Sequence, residues 1–475
     1  MGDNSYRQDK EELRALLRQY HNLKQGYSYS FIEEEAFERI IDYYDEKEDM
    51  ASALEAADHG IEQYPYSSIL QIKKADILIA TRRYKEALLI LDKVEILDRG
   101  DINLYILKTD AYLALDKQKQ AAAILEEAVE LFKGEEKIEL LFELADVYDD
   151  YEEFDKVFNC LKLILEQDPI NEEALYKICF WTDYTGRNEE GIRLYEKIID
   201  LHPFNELAWF NLGAAYQGLK LYEKSIDAYQ YAIAIDEKFD YAYRNMGDAY
   251  LRMRKYKDAI EVLQKVLALT RPEDVIYEAI AHCYTRLKNF AQARFHYRKA
   301  SHLNPDASHL YYKIACTYMN EEHWESAVKN LETAMRIHRS QPDYNLALAQ
   351  CYMEMNRVKD AVIYFSNFIK ARPKNIKGWK ELVKCLYKAG FYEEALEQVH
   401  NAIRNTENKP ILIFYKSAVL FALENAKEAL SYLETAMEKS PKLLKQFIEL
   451  DPSMLHNQQI IQVIGKHKKN KRPKN

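Results

Sequence analysis

The sequence predicts an all-α protein in which short helices pair and stack into a solenoid, and three observations support this. The 475 residues include only 13 Gly and 11 Pro, fewer than the usual share of about 7% and 5%, so few strand-joining turns can form. The chain matches itself at a spacing of 34 residues, which indicates repeated supersecondary units. Because 475 residues exceed the roughly 250–300 that one hydrophobic core supports, a repeat array is favoured over a single core.

Twelve repeats cover residues 34–443, with one slip of two residues around residues 133–135. Position 11 is Tyr in eight repeats, and position 20 is never bulky, being Ala in nine. Pro recurs at position 32, where it stops a helix. Each repeat is therefore predicted to form two helices whose backbones approach at the small residues. The repeats open at Glu34, Ser68, Ile102, Ile138, Glu172, Glu206, Asp240, Asp274, Ser308, Pro342, Ile376 and Pro410.

This pattern resembles the tetratricopeptide repeat (TPR) family, whose motif places aromatic residues, Leu, Gly, Tyr, Ala and Pro at these offsets. The resemblance extends more loosely to uncharacterised soluble bacterial TPR proteins. It implies a right-handed superhelical solenoid that binds other proteins or peptides along a concave groove. The sequence departs most from the motif at Lys74, Lys108 and Thr182. It is most complete at Trp209, Leu212, Gly213, Tyr216, Tyr229 and Ala232.

The segments outside the repeats are predicted to cap the array, because the end repeats of a solenoid need a polar outer face. Residues 1–33 are expected to hold an N-terminal capping helix over residues 11–25 and a lead-in to the first repeat. Residues 444–465 are expected to hold C-terminal capping helices. Residues 466–475 carry six Lys or Arg and are predicted to form a disordered basic tail.

The resemblance implies that positions 2, 5, 9, 12 and 13 of each repeat face the groove. On this basis the groove is expected to be acidic in its first half, aromatic in its middle and basic near the eleventh repeat. The acidic part comprises Glu35, Glu38, Asp42, Asp45, Glu46, Asp146, Asp149 and Asp150, with Phe142 among them. The aromatic part comprises Tyr176, Phe180, Tyr184, Phe210 and Tyr241, with Arg244 beside it, and the basic part comprises Lys377, Lys380 and Lys384.

A groove of this kind predicts a protein or peptide partner with a basic and apolar segment. Two simpler interpretations stay open: charges on a helix face are often only solvated, and tyrosines often pack against the next repeat. The alternative function is a nucleic-acid or membrane-surface adaptor that acts through the basic tail. Nucleic-acid binding along the solenoid itself is not expected, because acidic repeats repel phosphates. The oligomeric state stays open.

No catalytic function or cofactor is predicted, because no phosphate loop, dinucleotide turn, nucleophile elbow or metalloprotease helix occurs. Glu278, His282 and His309 form the best metal candidate, but three such residues on a solvated face do not predict a site. Cys283 and Cys351 are expected in the core, since each falls at position 10 of its repeat. A cytoplasmic location is expected, because the sequence has no signal-peptide core and no apolar run of 18 residues.

Overall fold

The computed structural model describes residues 2–25, 31–407 and 409–469, and all regular structure in these ranges is helical. The all-α prediction is therefore confirmed. The chain divides into two compact units, one ending at Asn245 and one beginning at Met246, which we call the N-unit and the C-unit. The helix α1 spans Gly2–Lys24 and precedes twelve helix pairs.

The first helices of the pairs begin at the residue that opens a predicted repeat, except in the fourth pair. They are α2 (Glu34–Asp45), α4 (Ser68–Ala80), α6 (Ile102–Ala114), α8 (Glu135–Asp150), α10 (Glu172–Tyr184), α12 (Glu206–Gly218), α14 (Asp240–Arg252), α16 (Asp274–Arg286), α18 (Ser308–Asn320), α20 (Pro342–Glu354), α22 (Ile376–Lys388) and α24 (Pro410–Ala422). In the fourth pair, α8 begins three residues before Ile138, directly after Gly134, whose φ is 64°. Only glycine adopts this backbone conformation without steric cost, so Gly134 fixes the early start.

The second helices all span 14 residues. They are α3 (Met50–Gln63), α5 (Tyr84–Leu97), α7 (Gln118–Leu131), α9 (Phe154–Gln167), α11 (Asn188–Leu201), α13 (Tyr222–Ile235), α15 (Tyr256–Leu269), α17 (Phe290–Leu303), α19 (Trp324–Ile337), α21 (Val358–Ala371), α23 (Tyr392–Asn405) and α25 (Ala426–Lys439). A 3₁₀ turn (Pro441–Leu443), α26 (Leu444–Leu450), a second 3₁₀ turn (Pro452–His456) and α27 (Gln458–Lys469) follow.

Small residues hold the two helices of each pair close together. Ala53, Ala87 and Ala121, all at position 20, are fully buried. At position 8 of the sixth repeat, a Cβ added to Gly213 would lie 2.6 Å from the ring of Tyr229. No real Cβ contact is this short, so the ring occupies the space that glycine leaves. The small positions of the repeat are therefore packing requirements.

The tyrosine at position 11 joins three of the repeats to the repeat before them. The Tyr216 hydroxyl donates to Glu196 at 3.0 Å and the Tyr352 hydroxyl donates to Glu332 at 3.3 Å, and both acceptors are at position 25 of the preceding repeat. Tyr148 donates to its equivalent carboxylate in the same way. The aromatic body is buried or half-buried while the hydroxyl reaches a partner, as amphipathic aromatic residues commonly do.

A tight backbone corner joins the two helices of each repeat. Position 15 adopts a left-handed conformation in all twelve repeats, with φ from 58° to 80°, and the corner residue is glycine only at Gly186 and Gly390. The next amide closes the corner: Lys117 N–H donates to the Tyr112 carbonyl at 2.9 Å, and Lys255 N–H donates to the Tyr250 carbonyl at 2.9 Å. This bond satisfies a carbonyl that the helix end leaves free.

The first helices form the inner layer within each unit. Consecutive first helices pack against each other, as α2 does on α4 and α10 on α12, whereas consecutive second helices make little contact in the described part of the chain. Tyr20 of α1 is buried against Phe37, with ring centroids 6.4 Å apart. At the other end, Ile460 and Val463 of α27 are buried, and this helix includes the first four residues of the segment assigned to the basic tail. No helix among the described residues is long and apolar enough to cross a membrane.

Candidate interaction surface

Four aspartates at position 9 place one carboxylate on each of the first four inner helices. They are Asp42, Asp76, Asp110 and Asp146, and all four are exposed. The other predicted acidic residues lie on the same helices or, for Glu46, directly after one: Glu35, Asp45, Glu46, Asp149 and Asp150 are exposed and Glu38 is half-buried. Together with Glu143 these eleven carboxylates define the acidic surface of the N-unit.

Electrostatic coupling indicates that the carboxylates of successive repeats lie near one another. Although both side chains reach solvent, neighbouring protein atoms partly desolvate the carboxylates of Asp76 and Asp110. This desolvation and the charge of Asp45 raise the pKa of Asp76 against the opposing charge of Lys73, and desolvation and the charge of Asp76 raise the pKa of Asp110. Burial, followed by the charges of Asp110 and Asp146, raises the pKa of Glu143. Each carboxylate therefore makes ionisation of the next one harder, because like charges at close range repel.

Two lysines partly neutralise the acidic surface. Lys73 Nζ lies 2.5 Å from Asp42, while Lys177 Nζ lies 3.0 Å from Glu173 and 3.6 Å from Asp146. Lys177 also lies over the half-buried Phe142 ring, 5.1 Å from its centroid. Among the described residues, by contrast, Asp76 and Asp110 form no ion pair with a lysine or arginine.

An exposed cluster of aromatic side chains follows the acidic surface on the fifth repeat. Tyr176, Phe180 and Tyr184 are 58%, 59% and 58% exposed. Phe180 stacks on Tyr184 with centroids 5.6 Å apart, and Phe154 stacks on Trp181 at 5.2 Å. Phe154 also meets Tyr184 edge-on at 4.9 Å, so these four rings form one network, and the exposed Tyr176 lies on the same helix as three of them. We call these five residues the aromatic patch.

The remaining predicted aromatic residues of the N-unit are placed differently. Phe210 is half-buried, with its ring centroid 5.1 Å from Phe239 and 5.7 Å from Tyr229. Tyr241 is 53% exposed and interacts with Tyr176, whose pKa is raised by burial and then by Tyr241. Arg244 pairs with Asp240 at 2.9 Å on its own helix. Phe210 therefore packs inside its own repeat, while Tyr241 extends the exposed aromatic surface.

The chain's own C-terminal segment covers part of the predicted basic surface. Lys377 is exposed, but Lys380 Nζ donates to Gln446 Oε1 at 2.6 Å and the Tyr387 hydroxyl donates to Asp451 Oδ2 at 2.9 Å. Gln446 lies in α26 and Asp451 follows it directly. We call residues Pro441–His456 the strap, since they run across the inner helices of the last two repeats.

The inner face of the C-unit also carries a cleft of about 380 Å³ that the sequence analysis did not identify. Its apolar lining includes Met319, Trp324 and Met353, and Glu381 and Lys384 lie at its edge. Cys316, Gln350 and Lys384 occupy position 9 of successive repeats. Applying the groove positions to the ninth and tenth repeats would therefore have found this cleft.

In the metal candidate formed by Glu278, His282 and His309, the Glu278 carboxylate already binds the side chain of Lys313. Glu278 accepts hydrogen bonds from Lys313 and from His309 Nε2, the latter at 3.0 Å. Burial opposes ionisation of Glu278, but these hydrogen bonds outweigh it and lower its pKa. The described residues contain no group of three His, Cys, Asp or Glu arranged to hold a metal. Cys283 and Cys351 are fully buried.

The two units differ in the sign of their charge. Residues 1–245 contain 29 Lys and Arg against 52 Asp and Glu, a net charge of −23. Residues 246–475 contain 37 Lys and Arg against 25 Asp and Glu, a net charge of +12. The overall charge of −11 is therefore the sum of a negatively charged N-unit and a positively charged C-unit. Such a distribution directs charged partners to different halves.

Three family models match the middle of the chain. A model described as the N-terminal TPR repeats region of Psidin matches residues 239–347, and two models of a single tetratricopeptide repeat match residues 207–239 and 343–375. These matches coincide with the paired helices and with the 34-residue period. The fold and its inner surface define an α-solenoid, a class whose extended concave surfaces serve for binding. The chain is a tetratricopeptide-repeat protein, and in general terms an interaction scaffold.

Several solved structures are similar in their repeat architecture. The C-terminal part of a TPR repeat-containing protein from Cytophaga hutchinsonii is 15% identical, with a TM-score of 0.42, over 54% of this chain and 99% of that one. A chain of the APC/C hetero-tetramer Cut9–Hcn1 is 13% identical, with a TM-score of 0.35, over 90% of this chain and 94% of that one. YrrB, described as a TPR protein with an unusual peptide-binding site, is 16% identical, with a TM-score of 0.35, over 39% of this chain and 95% of that one.

Proposed function

We propose that the N-unit binds an extended or helical segment of another protein that carries basic and apolar side chains. The observation that carries this proposal is the run of position-9 carboxylates that leads to the aromatic patch. Among the described residues, no lysine or arginine forms an ion pair with Asp76 or Asp110. Repulsion between their carboxylates and the neighbouring ones raises the free energy of the folded chain. Lysine or arginine side chains of a partner would remove that cost.

The aromatic patch supports an apolar anchor next to the basic stretch. Four of its rings are in contact, and three of its five side chains are more than half exposed, which is the kind of surface that large apolar side chains bind. Lys177 separates the two surfaces, since it pairs with Asp146 and lies beside Phe142. The partner would therefore place basic residues toward the first repeat and an aromatic or aliphatic residue toward the fifth.

The scaffold acts in this proposal without catalysis, and its contribution is to hold the partner. The test begins with selection of peptides from a random library displayed on phage, using the full chain as bait. Selected peptides should be rich in Lys or Arg next to large apolar residues. Binding kinetics of one such peptide are then measured at low and high salt.

Two variants separate the contributions of charge and of the aromatic rings. Reversing Asp76 and Asp110 to Lys should slow association and reduce its salt dependence, because charge complementarity acts chiefly on encounter. Replacing Phe180 by Ala should instead raise the dissociation rate. If the ring is a main anchor, the loss of binding free energy should be about 2 kcal/mol. The matched control reverses Glu130 and Asp227, two exposed acids on the second helices. Equal effects of the control and the Asp76/Asp110 variant would contradict the proposed surface.

The net charge of +12 favours the C-unit as the location of a second candidate function. In this alternative the basic tail attaches the scaffold to nucleic acid or to an anionic membrane surface. Binding to a polyanion such as heparin should then fall steeply with salt and be lost when residues 466–475 are deleted. Polyanion binding that survives this deletion would eliminate the tail as the attachment point.

A further inference from the structure

The strap fills the inner side of the last repeats with a few well-defined contacts. Phe447 is fully buried, and its ring centroid lies 5.8 Å from that of Phe414 on α24. Leu450 and Met454 are each 5% exposed. These three side chains point from a helix of only seven residues and the turn after it into the surface that the inner helices form.

Two polar contacts fix the strap to α22, one repeat further back. Lys380 donates to Gln446, and Tyr387 donates to Asp451, across 66 and 64 residues of chain. Burial opposes ionisation of Asp451, but hydrogen bonds from Ser453 and Tyr387 lower its pKa below the ordinary range. Asp451 is therefore held as an anion, which makes the bond from Tyr387 a strong one.

The occupied surface defines the chemistry of the segment that fits it. Phe447 and Leu450 lie three residues apart in α26 and therefore on one face of that helix, and Asp451 follows directly in extended backbone. The inner surface offers a matching group to two of these residues: the Phe414 ring to the aromatic side chain, and the Tyr387 hydroxyl to the carboxylate. Lys380 adds a donor for a polar residue just before the aromatic one.

The elements on either side of the strap have anchors of their own. The second helix α25 pairs with α24, and α27 packs on α25 through Ile460 and Val463. The strap packs on α24 through α26, and its first and last turns also contact α25 and α27. The strap is thus a connection between two anchored elements, and it can leave the inner surface while α25 and α27 keep their contacts.

We propose that the inner surface of α22 and α24 is a second binding surface, and that the strap occupies it in the isolated chain. Its external ligand is a short helix with an aromatic residue and a large apolar residue three positions later, followed directly after the helix by a carboxylate. This ligand differs in charge from the basic segment proposed for the N-unit, and the inference does not depend on that proposal. The partner replaces the strap when it binds.

Hydrogen exchange in the full-length chain tests whether the strap opens by itself. The amides of α26 should exchange at least about tenfold faster than those of α24 and α25, because local opening needs less free energy than unfolding of the C-unit. Tyr387→Phe should speed exchange in α26 further, whereas the control Tyr364→Phe should leave it unchanged. Protection of α26 equal to that of α24 and α25 would make the strap a permanent cap and overturn the proposal.

Binding in trans tests the ligand chemistry. The probe is a fluorescent peptide of residues 441–457, added to the full chain and to its Phe447→Ala variant. The variant should bind the peptide at least about tenfold more tightly, because its own strap has lost the aromatic anchor. A peptide carrying Phe447→Ala should bind neither chain. Adding Tyr387→Phe to the variant chain should weaken binding again, because the receiving surface has lost its donor.

Three results would overturn the inference. One is equal affinity of the peptide for both chains, and another is the absence of binding to either. The third is fast exchange throughout α24 and α25 in the Phe447→Ala chain, which would show that the strap is essential to the last repeat. Gln446→Ala is a milder variant that leaves the apolar contacts intact, and it should still raise peptide affinity above that of the wild-type chain.

Discussion

Removing charge from the acidic surface should stabilise the N-unit at neutral pH. Asp76→Asn with Asp110→Asn removes three repulsive couplings, those of Asp76 with Asp45, of Asp110 with Asp76, and of Glu143 with Asp110. It also removes one attraction, that of Asp76 to Lys73. At about 0.2–0.5 kcal/mol for each pair, the net gain is about 0.4–1 kcal/mol. For a unit of this size, that corresponds to a rise of about 1–4 °C in Tm.

The pH dependence of this gain has a definite sign. A carboxyl whose pKa is raised in the folded state binds its proton more tightly there than in the unfolded chain. The wild-type chain therefore gains stability relative to the variant as the pH falls through the raised pKa values toward the ordinary 3.8. The difference in Tm should be largest near pH 7 and should shrink toward pH 4.

Calorimetry at pH 7, 5.5 and 4 measures this difference directly. The matched control is Glu130→Gln with Asp227→Asn, which removes the same charge from the second helices α7 and α13. The control should change Tm much less, since these carboxylates lie outside the inner surface. A variant that is no more stable than wild type at pH 7, or a gain that persists at pH 4, would refute the argument from repulsion along the inner helices.

Three further tests concern a close packing contact, an ion pair of a buried lysine and the backbone corner. Gly213→Ala should lower the free energy of unfolding by about 1–3 kcal/mol in urea titration, because the new Cβ meets the Tyr229 ring. Lys108→Ala should cost about 1–3 kcal/mol by the same measurement, since the lysine side chain is only 2% exposed and its ammonium pairs with the more exposed Asp92 at 2.7 Å and with Glu95 at 2.5 Å. An effect below about 1 kcal/mol would be that of an ordinary surface ion pair and would contradict this reasoning. Lys288→Gly should stabilise by about 0.5–1 kcal/mol, because glycine accepts the left-handed corner, whereas Lys299→Gly inside α17 should destabilise by a similar amount.

The 34-residue period can be read from the sequence because the contacts that produce it are local. Gly213 and Tyr229 belong to one repeat, and the corner at position 15 follows from the end of the first helix. The departures from the motif also have local explanations. Lys74 and Lys108 reach acids on the preceding second helix, and Thr182 leaves room for a hydrogen bond with the Tyr195 hydroxyl at 2.7 Å.

The strap could not be predicted, because its contacts are not periodic. Residues 441–456 have the composition of an ordinary capping helix, and nothing in the spacing of Gln446 and Asp451 points to a helix more than 60 residues earlier. The packing of Phe210 against Phe239 was missed for a similar reason, since Phe239 lies in the turn before α14 and outside the groove positions. Both cases depend on contacts that position within a repeat does not encode.

At the backbone corner at position 15, the choice of side chain has little influence on the fold of the repeat. Hydrogen bonds of the main chain close the corner, so the side chain there contributes nothing to closing it. Nine of the twelve corner residues are charged, four Glu, one Asp, two Arg and two Lys. The charges at position 15 can therefore be changed by design, one residue in each repeat, without repacking of any helix pair.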